Sequence, residues 1–492
     1  MRWSAGKIFA RIALGLVLLL LLLVIALWLK PPDILRVGAN YAAKIVCSNV
    51  FLAGRDPDEV LRTDVQAPGI ALLGLMRVSV DRNQRVVRAG LLGFIGDGLA
   101  VARPGTGCTV LPDGKLDAGR DAFAHAASAP APASAPTSAP TSAPTSAPTS
   151  APNSAPNSAP TSAPASAPSA DSAWPEGRTV ITTAALDRLL ADDALAGPGM
   201  RGIVVVHDGR IVAERYAAGF SAATPLLGWS MTKSVVAGLV GLLLKDGTLT
   251  LEQSAGWPAG DDRARIRIAD LLAMSSGLRF NEAYGVVSDV TRMLYLQSDM
   301  AEFARTQPPL HSPGEFWSYS SGSANILSRI VQDASPLGAA YPAERLFKPL
   351  GMVSAVMEPD EHGTLVGSSY MYATARDWAR YGLFLAQDGV WQGQELLPRG
   401  YVAMMASPVA ASAGEYGHGL VWLWGSDSVT PGKNPDLSFG LPADTFWMEG
   451  HDGQYTAIIP SRALVVVRLG LTPSSHRYRP QPLVKAVLDA LR

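Results

Sequence analysis

Ser230-Met231-Thr232-Lys233 sets a hydroxyl and an amine three residues apart at the mouth of the apolar run VVAGLVGLLL, residues 235–244. Residues three apart share a helix face, so the Lys233 amine can reach the Ser230 hydroxyl. Burial and the positive end of the helix dipole both favour the neutral amine. A neutral amine is a base, and the hydroxyl beside it is then a nucleophile. At a helix start the Ser230 amide lacks an intrahelical partner and is free to donate to a developing oxyanion. The competing reading is structural, since serine is among the favoured helix caps. Against it, a cap usually recruits Glu or Gln three residues on, whereas Lys233 puts positive charge at the positive end of the dipole. Spacing alone does not decide, because Ser4-Ala5-Gly6-Lys7 shares it in a place where catalysis has no purpose.

An acylated serine needs a proton carrier and a second oxyanion donor. Tyr319, in the polar loop after Pro313-Gly314, is the candidate carrier. It would protonate a leaving group and then activate water, provided that Lys233 lowers its pKa. The plainer alternative is aromatic packing. In Glu449-Gly450-His451-Asp452-Gly453-Gln454-Tyr455, small residues would let a substrate approach the strand, with the Gln454 amide as the second donor. The plainer alternative there is a hairpin strand with a glycine bulge.

These residues need elements to hold them. A helix from about 230 to 245, ended by Asp246-Gly247, is apolar or glycine on every side and is expected to be buried all round. Ile203-Val204-Val205-Val206 and Ile211-Val212-Ala213 flank Asp208-Gly209 and read as a hairpin. Residues 446–459 and 463–471 read as a second strand pair, and 323–333 and 375–388 as helices between the strand groups. An antiparallel sheet built from the ends of the domain, with helices inserted, predicts an α+β fold.

The rest of the chain is different in kind. Residues 12–29 carry no charge and as a helix would span roughly 27 Å, the thickness of a bilayer core. Arg2, Lys7 and Arg11 precede them, so 1–32 is expected to be an uncleaved single-pass anchor with its amino terminus inside, a signal peptide being the alternative. Residues 33–125 read as a small region, a domain of its own or an extension packed on the later one, and hold both cysteines, Cys47 and Cys108. In an oxidising compartment these two would form a disulfide. Residues 126–170 are a four-residue Ala/Pro/Ser/Thr repeat unable to build a core, hence a linker. Residues 171–492 are the globular remainder. With 41 basic and 42 acidic residues the net charge is −1, which asks for no nucleic-acid partner.

Ser230-Met231-Thr232-Lys233, then Tyr319-Ser320-Ser321, then His451-Asp452-Gly453 follow the order of the three motifs of serine β-lactamases and penicillin-recognising enzymes. The chain most resembles class C-type β-lactamase-related serine hydrolases, including 6-aminohexanoate-dimer hydrolases and related esterases. The likeness also draws on LLAMSSGLRFNEAYG, FWSYSSGSANILSRIV, SSYMYATARDWARYG and EGHDGQY. It implies a β-lactamase/transpeptidase-like fold, a sheet flanked by helices beside a helical lobe, with the site between them. It further implies acylation of Ser230, proton movement by Lys233 and Tyr319, an oxyanion held by the amides of Ser230 and Gln454, and no metal or organic cofactor. His451, Gly453 and Ser321 would line the substrate. Two departures stand out: Ser321 replaces the usual asparagine and His451 the usual lysine, which weakens the case for carboxylated β-lactams.

The expectation is therefore an inner-membrane, single-pass serine hydrolase with its catalytic domain in the periplasm, cleaving a small amide or ester. A D-amino-acid peptidase or weak β-lactamase and a non-catalytic binding or sensor protein are the alternatives. An α/β-hydrolase is disfavoured because Ser230 lacks the flanking Gly-x-Ser-x-Gly pattern.

Overall fold

The computed structural model describes residues 5–67, 70–116, 172–425 and 434–492. The 126–170 linker lies outside the described residues. Helix α1 (Ala5–Leu29) is long and apolar enough to cross a membrane, and none of its apolar window is buried within the protein. Lys30, Pro31 and Pro32 separate it from α2 (Asp33–Phe51). An antiparallel meander of β1 (Met76–Asp81), β2 (Val86–Leu91), β3 (Ile95–Arg103) and β4 (Gly107–Val110) wraps α2. Cys47 on α2 and Cys108 on β4 form a disulfide, both fully buried.

Helix α2 is also built into the later, larger part of the chain. Lys44 forms a buried ion pair with Glu358, whose carboxylate also accepts from the Ser48 hydroxyl and the Cys108 amide. Burial drives both partners towards their neutral forms, while their mutual attraction opposes it. The Asn40 amide donates to the Tyr295 carbonyl at 2.8 Å, and Arg201 donates to Asp64 at 2.6 and 2.8 Å.

The later part is organised by β5 (Met200–His207) and β6 (Arg210–Tyr216), joined at Asp208-Gly209. The helices α3 (Ala184–Leu190), α4 (Met231–Lys245), α5 (Asp289–Leu296), α6 (Ser321–Ala334) and α7 (Ala375–Ala386) accompany them. The chain closes with β7 (Phe446–Gly450), β8 (Gln454–Ile459), β9 (Leu464–Gly470) and α8 (Gln481–Ala490). The sheet runs β7-β8-β9-β5-β6, antiparallel throughout, so the carboxy-terminal strands pair directly with the hairpin near the start of the domain. Both faces are covered. Val204, Val206, Val465 and Val467 pack with α4 and α7, while Ile203, Val205, Leu464 and Val466 pack with α3 and α8. That double burial explains the unbroken β-branched run at 203–206. The expected α+β, antiparallel architecture is the one observed.

Three boundaries differ from expectation. Residues 446–459 are two strands, because His451-Asp452-Gly453 turns the chain between them. The helix expected from 323 begins at Ser321, since Ser320 is its cap and accepts from the Ser323 amide. The helix from Ala375 stops at Ala386, ahead of Asp388 and Gly389, both at positive φ.

Candidate active site

Helix α4 is buried along all but its last two residues, and the chain enters it through a tight corner. A Cβ on Gly228 would lie 2.1 Å from the Trp378 ring, and one on Gly450 would lie 2.1 Å from the Gly228 carbonyl. Only glycines allow the end of β7 to approach this corner so closely. Trp229 follows at φ +48°, a left-handed conformation that disfavours a bulky residue. The Thr232 hydroxyl donates to the Trp229 carbonyl at 2.7 Å and braces the turn. Strain of this kind collects where a side chain must be aimed. The side chain aimed here is Ser230, half-buried, whose hydroxyl makes no capping bond to the helix.

The Lys233 amine is almost wholly buried and has three oxygens around it. They are the Ser230 hydroxyl at 2.8 Å, the Ser321 hydroxyl at 3.1 Å and the Ser368 carbonyl at 2.9 Å. The amine donates to all three, and loss of one proton would leave it two N–H donors for Ser321 and Ser368 and a lone pair facing the Ser230 hydroxyl. Burial lowers the Lys233 pKa to about 8, against the opposing pull of Glu282.

Tyr319 belongs to the same cluster. Its ring centre is 4.8 Å from the Lys233 amine, it stacks on Trp422 at 5.3 Å and it meets the edge of Tyr416 at 5.9 Å. Its titration runs opposite to expectation. Burial and then the charge of Glu282 push the phenol well above its ordinary value, and a hydrogen bond with Ser230 only partly offsets them. Tyr319 is thus held as a neutral phenol, able to give a proton and poorly suited to removing one.

The third motif forms the β7–β8 turn. His451 is exposed enough to meet solvent, lies 3.4 Å from the Asp452 carboxylate and packs against the Trp229 ring at 5.7 Å. Gly453 stands at φ +85°, with its carbonyl accepting from Arg468 at 2.7 Å. The Gln454 side chain faces inward, donating to the His451, Asp452 and Gly470 carbonyls and accepting from the Gly470 amide. This net fixes the turn that follows Gly450, the residue packed against Gly228.

Sequence reasoning missed two neighbours, Glu282 and Tyr284. The Glu282 carboxylate accepts from both the amide and the hydroxyl of Ser321. Burial raises its pKa, and Lys233 and Ser321 pull it back. A chain of hydrogen bonds therefore runs from Ser230 through Lys233 and Ser321 to Glu282. Tyr284 stacks on His451 at 4.6 Å. The only sequence signal was an acid flanked by two aromatics in the loop Phe280-Asn281-Glu282-Ala283-Tyr284.

Residues 186–481 match the family model described as Beta-lactamase, more than half of the chain. The chain belongs to the beta-lactamase family. Membership of this family of serine hydrolases is what the three ordered motifs implied. An uncharacterized protein of Alkalihalophilus pseudofirmus is 23% identical to the beta-lactamase-family chain over 177 residues, 32% of this chain and 52% of that protein. The chain thus spans about half the length of the curated relative it matches. Among solved structures, a putative 6-aminohexanoate-dimer hydrolase from Bacillus anthracis is similar at 21% identity and TM-score 0.49, covering 62% of this chain and 79% of that one. A penicillin binding protein from Bacillus halodurans is similar at 17% identity and TM-score 0.47, covering 62% and 99%.

Proposed function

We propose that this chain is a membrane-tethered serine hydrolase that cleaves a small amide or ester through an acyl-Ser230 intermediate. The observation that carries this reading is the Lys233 amine, depressed to about 8, 2.8 Å from the Ser230 hydroxyl. Ser230 Oγ attacks the substrate carbonyl carbon and its proton passes to Lys233 Nζ. The negative oxygen so formed is held by the Ser230 and Gln454 amides. As the bond to the leaving group breaks, Tyr319 supplies the proton that group needs and recovers one from Lys233. Water then attacks the acyl carbon, Lys233 Nζ takes its proton, and as the bond to Ser230 Oγ breaks Lys233 returns that proton to Oγ and the acid is released. His451, Gly453 and Ser321 line the substrate. His451 lacks the fixed positive charge of a lysine, and Glu282 adds a carboxylate near Ser321, so neutral acyl groups suit this site better than carboxylated ones.

Helix α1 would be a single pass through the inner membrane, with the body of the enzyme in the periplasm. The Cys47–Cys108 disulfide fits that oxidising compartment. The test is intact-protein mass spectrometry after exposure to activated esters, amides and β-lactams. An acyl adduct on Ser230, absent in Ser230→Ala and strongly slowed in Lys233→Ala, is expected. An adduct elsewhere, or one formed equally by Ser230→Ala, would refute the assignment.

A further inference from the structure

The β1–β4 meander has two unlike ends. At one end lie the β1–β2 turn, Asp81-Arg82-Asn83-Gln84-Arg85, and the polar β3–β4 turn around Thr106. At the other end the β2–β3 turn reads Leu91-Leu92-Gly93-Phe94-Ile95, a composition that ordinary turn chemistry avoids. Leu92 and Phe94 there are 51% and 48% exposed. Leu75, 49% exposed, accepts from the Leu92 amide through its carbonyl, and Ile70 lies one turn ahead of Leu73. Leu92 also sits at φ +56°, where a branched apolar residue is strained. A surface turn built at that expense from leucine and phenylalanine has no folding rationale in water.

The position of this end supplies one. Gly96, just past the turn, packs so tightly on the start of α2 that a Cβ would lie 2.9 Å from the Leu35 carbonyl. The start of α2 is joined to the end of α1 by Lys30, Pro31 and Pro32 alone, a connection that reaches no more than ~15 Å. The apolar turn therefore stands beside the exit of the helix proposed to span the bilayer, and α1 itself approaches β3. Ile34, exposed at the first turn of α2, extends the patch, and the nearby Asp33 is paired with Arg292 at 3.2 Å. Exposed Lys30 and Arg77 flank it, as suits phosphate headgroups.

We infer that this end of the meander, with Leu75, Leu92 and Phe94 at its tip, inserts into the interfacial layer of the phospholipid bilayer that α1 crosses and sets the orientation of the enzyme on it. The inference rests on the reading of α1 as a membrane span. Its test uses the full chain in phosphatidylcholine/phosphatidylglycerol vesicles, with an environment-sensitive dye on Phe94→Cys. Both native cysteines are locked in the buried disulfide, so labelling is site-specific. The control is Val353→Cys, 95% exposed on the catalytic part. Blue-shifted emission and quenching by brominated acyl chains at position 94, with neither at 353, are expected. A protein that floats with vesicles yet shows an unquenched label at 94, or equal quenching at both positions, overturns the docking and leaves the anchor intact. Failure to float at all removes the anchor reading and the docking with it.

Discussion

If Lys233 is the base that primes Ser230, the acylation rate must follow the neutral fraction of its amine. With a pKa of about 8 in place of the usual 10.5, that fraction is ~9% at pH 7 and ~90% at pH 9. The rate constant for acylation by an activated ester, followed by stopped-flow spectroscopy under single-turnover conditions, is therefore expected to rise about tenfold between pH 7 and 9 and then level off. An unshifted lysine would be only ~0.03% neutral at pH 7, some ~300-fold less, and its profile would keep climbing past pH 10. The sign follows from burial: the charged form is the one penalised, so activity is lost as pH falls through the depressed pKa. Tyr319 stays protonated across this window, so no second limb is expected from it. Lys233→Arg, which keeps the charge but cannot lose its proton near neutral pH, should remove the limb together with most of the rate. A flat profile from pH 7 to 9, or a Lys233→Arg enzyme with the original profile, would refute the reasoning.

Glu282→Gln removes the charge that holds the Lys233 pKa up, so the midpoint of the same profile should move to lower pH, whereas a purely structural role would leave it in place. Replacing both Cys47 and Cys108 by serine releases a loop of 61 residues and should lower stability by about 4 kcal/mol in urea unfolding. Glu358→Ala strands the buried Lys44 ammonium and should destabilise the protein by about 3–5 kcal/mol in the same assay, with Lys44→Met/Glu358→Leu recovering much of the loss.

The pair Ser230 and Lys233 was legible because helix geometry fixes what three residues of spacing means, and the apolar run announced burial. The β5–β6 hairpin was legible for the same local reason, β-branched runs on either side of an Asp-Gly turn. Glu282 was not, since a loop residue reaches Ser321 only through the packing of the helical lobe, as where Phe280 lies against Gly322. The direction of the Tyr319 shift was hidden with it, because Glu282 supplies the second largest contribution to that shift. Helix α2 was obscure for another reason. Asn40, Lys44, Ser48 and Asn49 look like the wet face of a surface helix, yet all four are buried, each spoken for by a partner within the helix or far along the chain.

The buried Lys44–Glu358 pair bears on how the chain would be moored by an α1 that crosses a membrane. Because α2 is wedged into the later body of the chain three residues after α1 ends, an α1 that spans a bilayer would moor that body through α2 and not through the repeat at 126–170. With α1 in a bilayer, the height of Ser230 above the lipid would be set by the connection of one lysine and two prolines between α1 and α2.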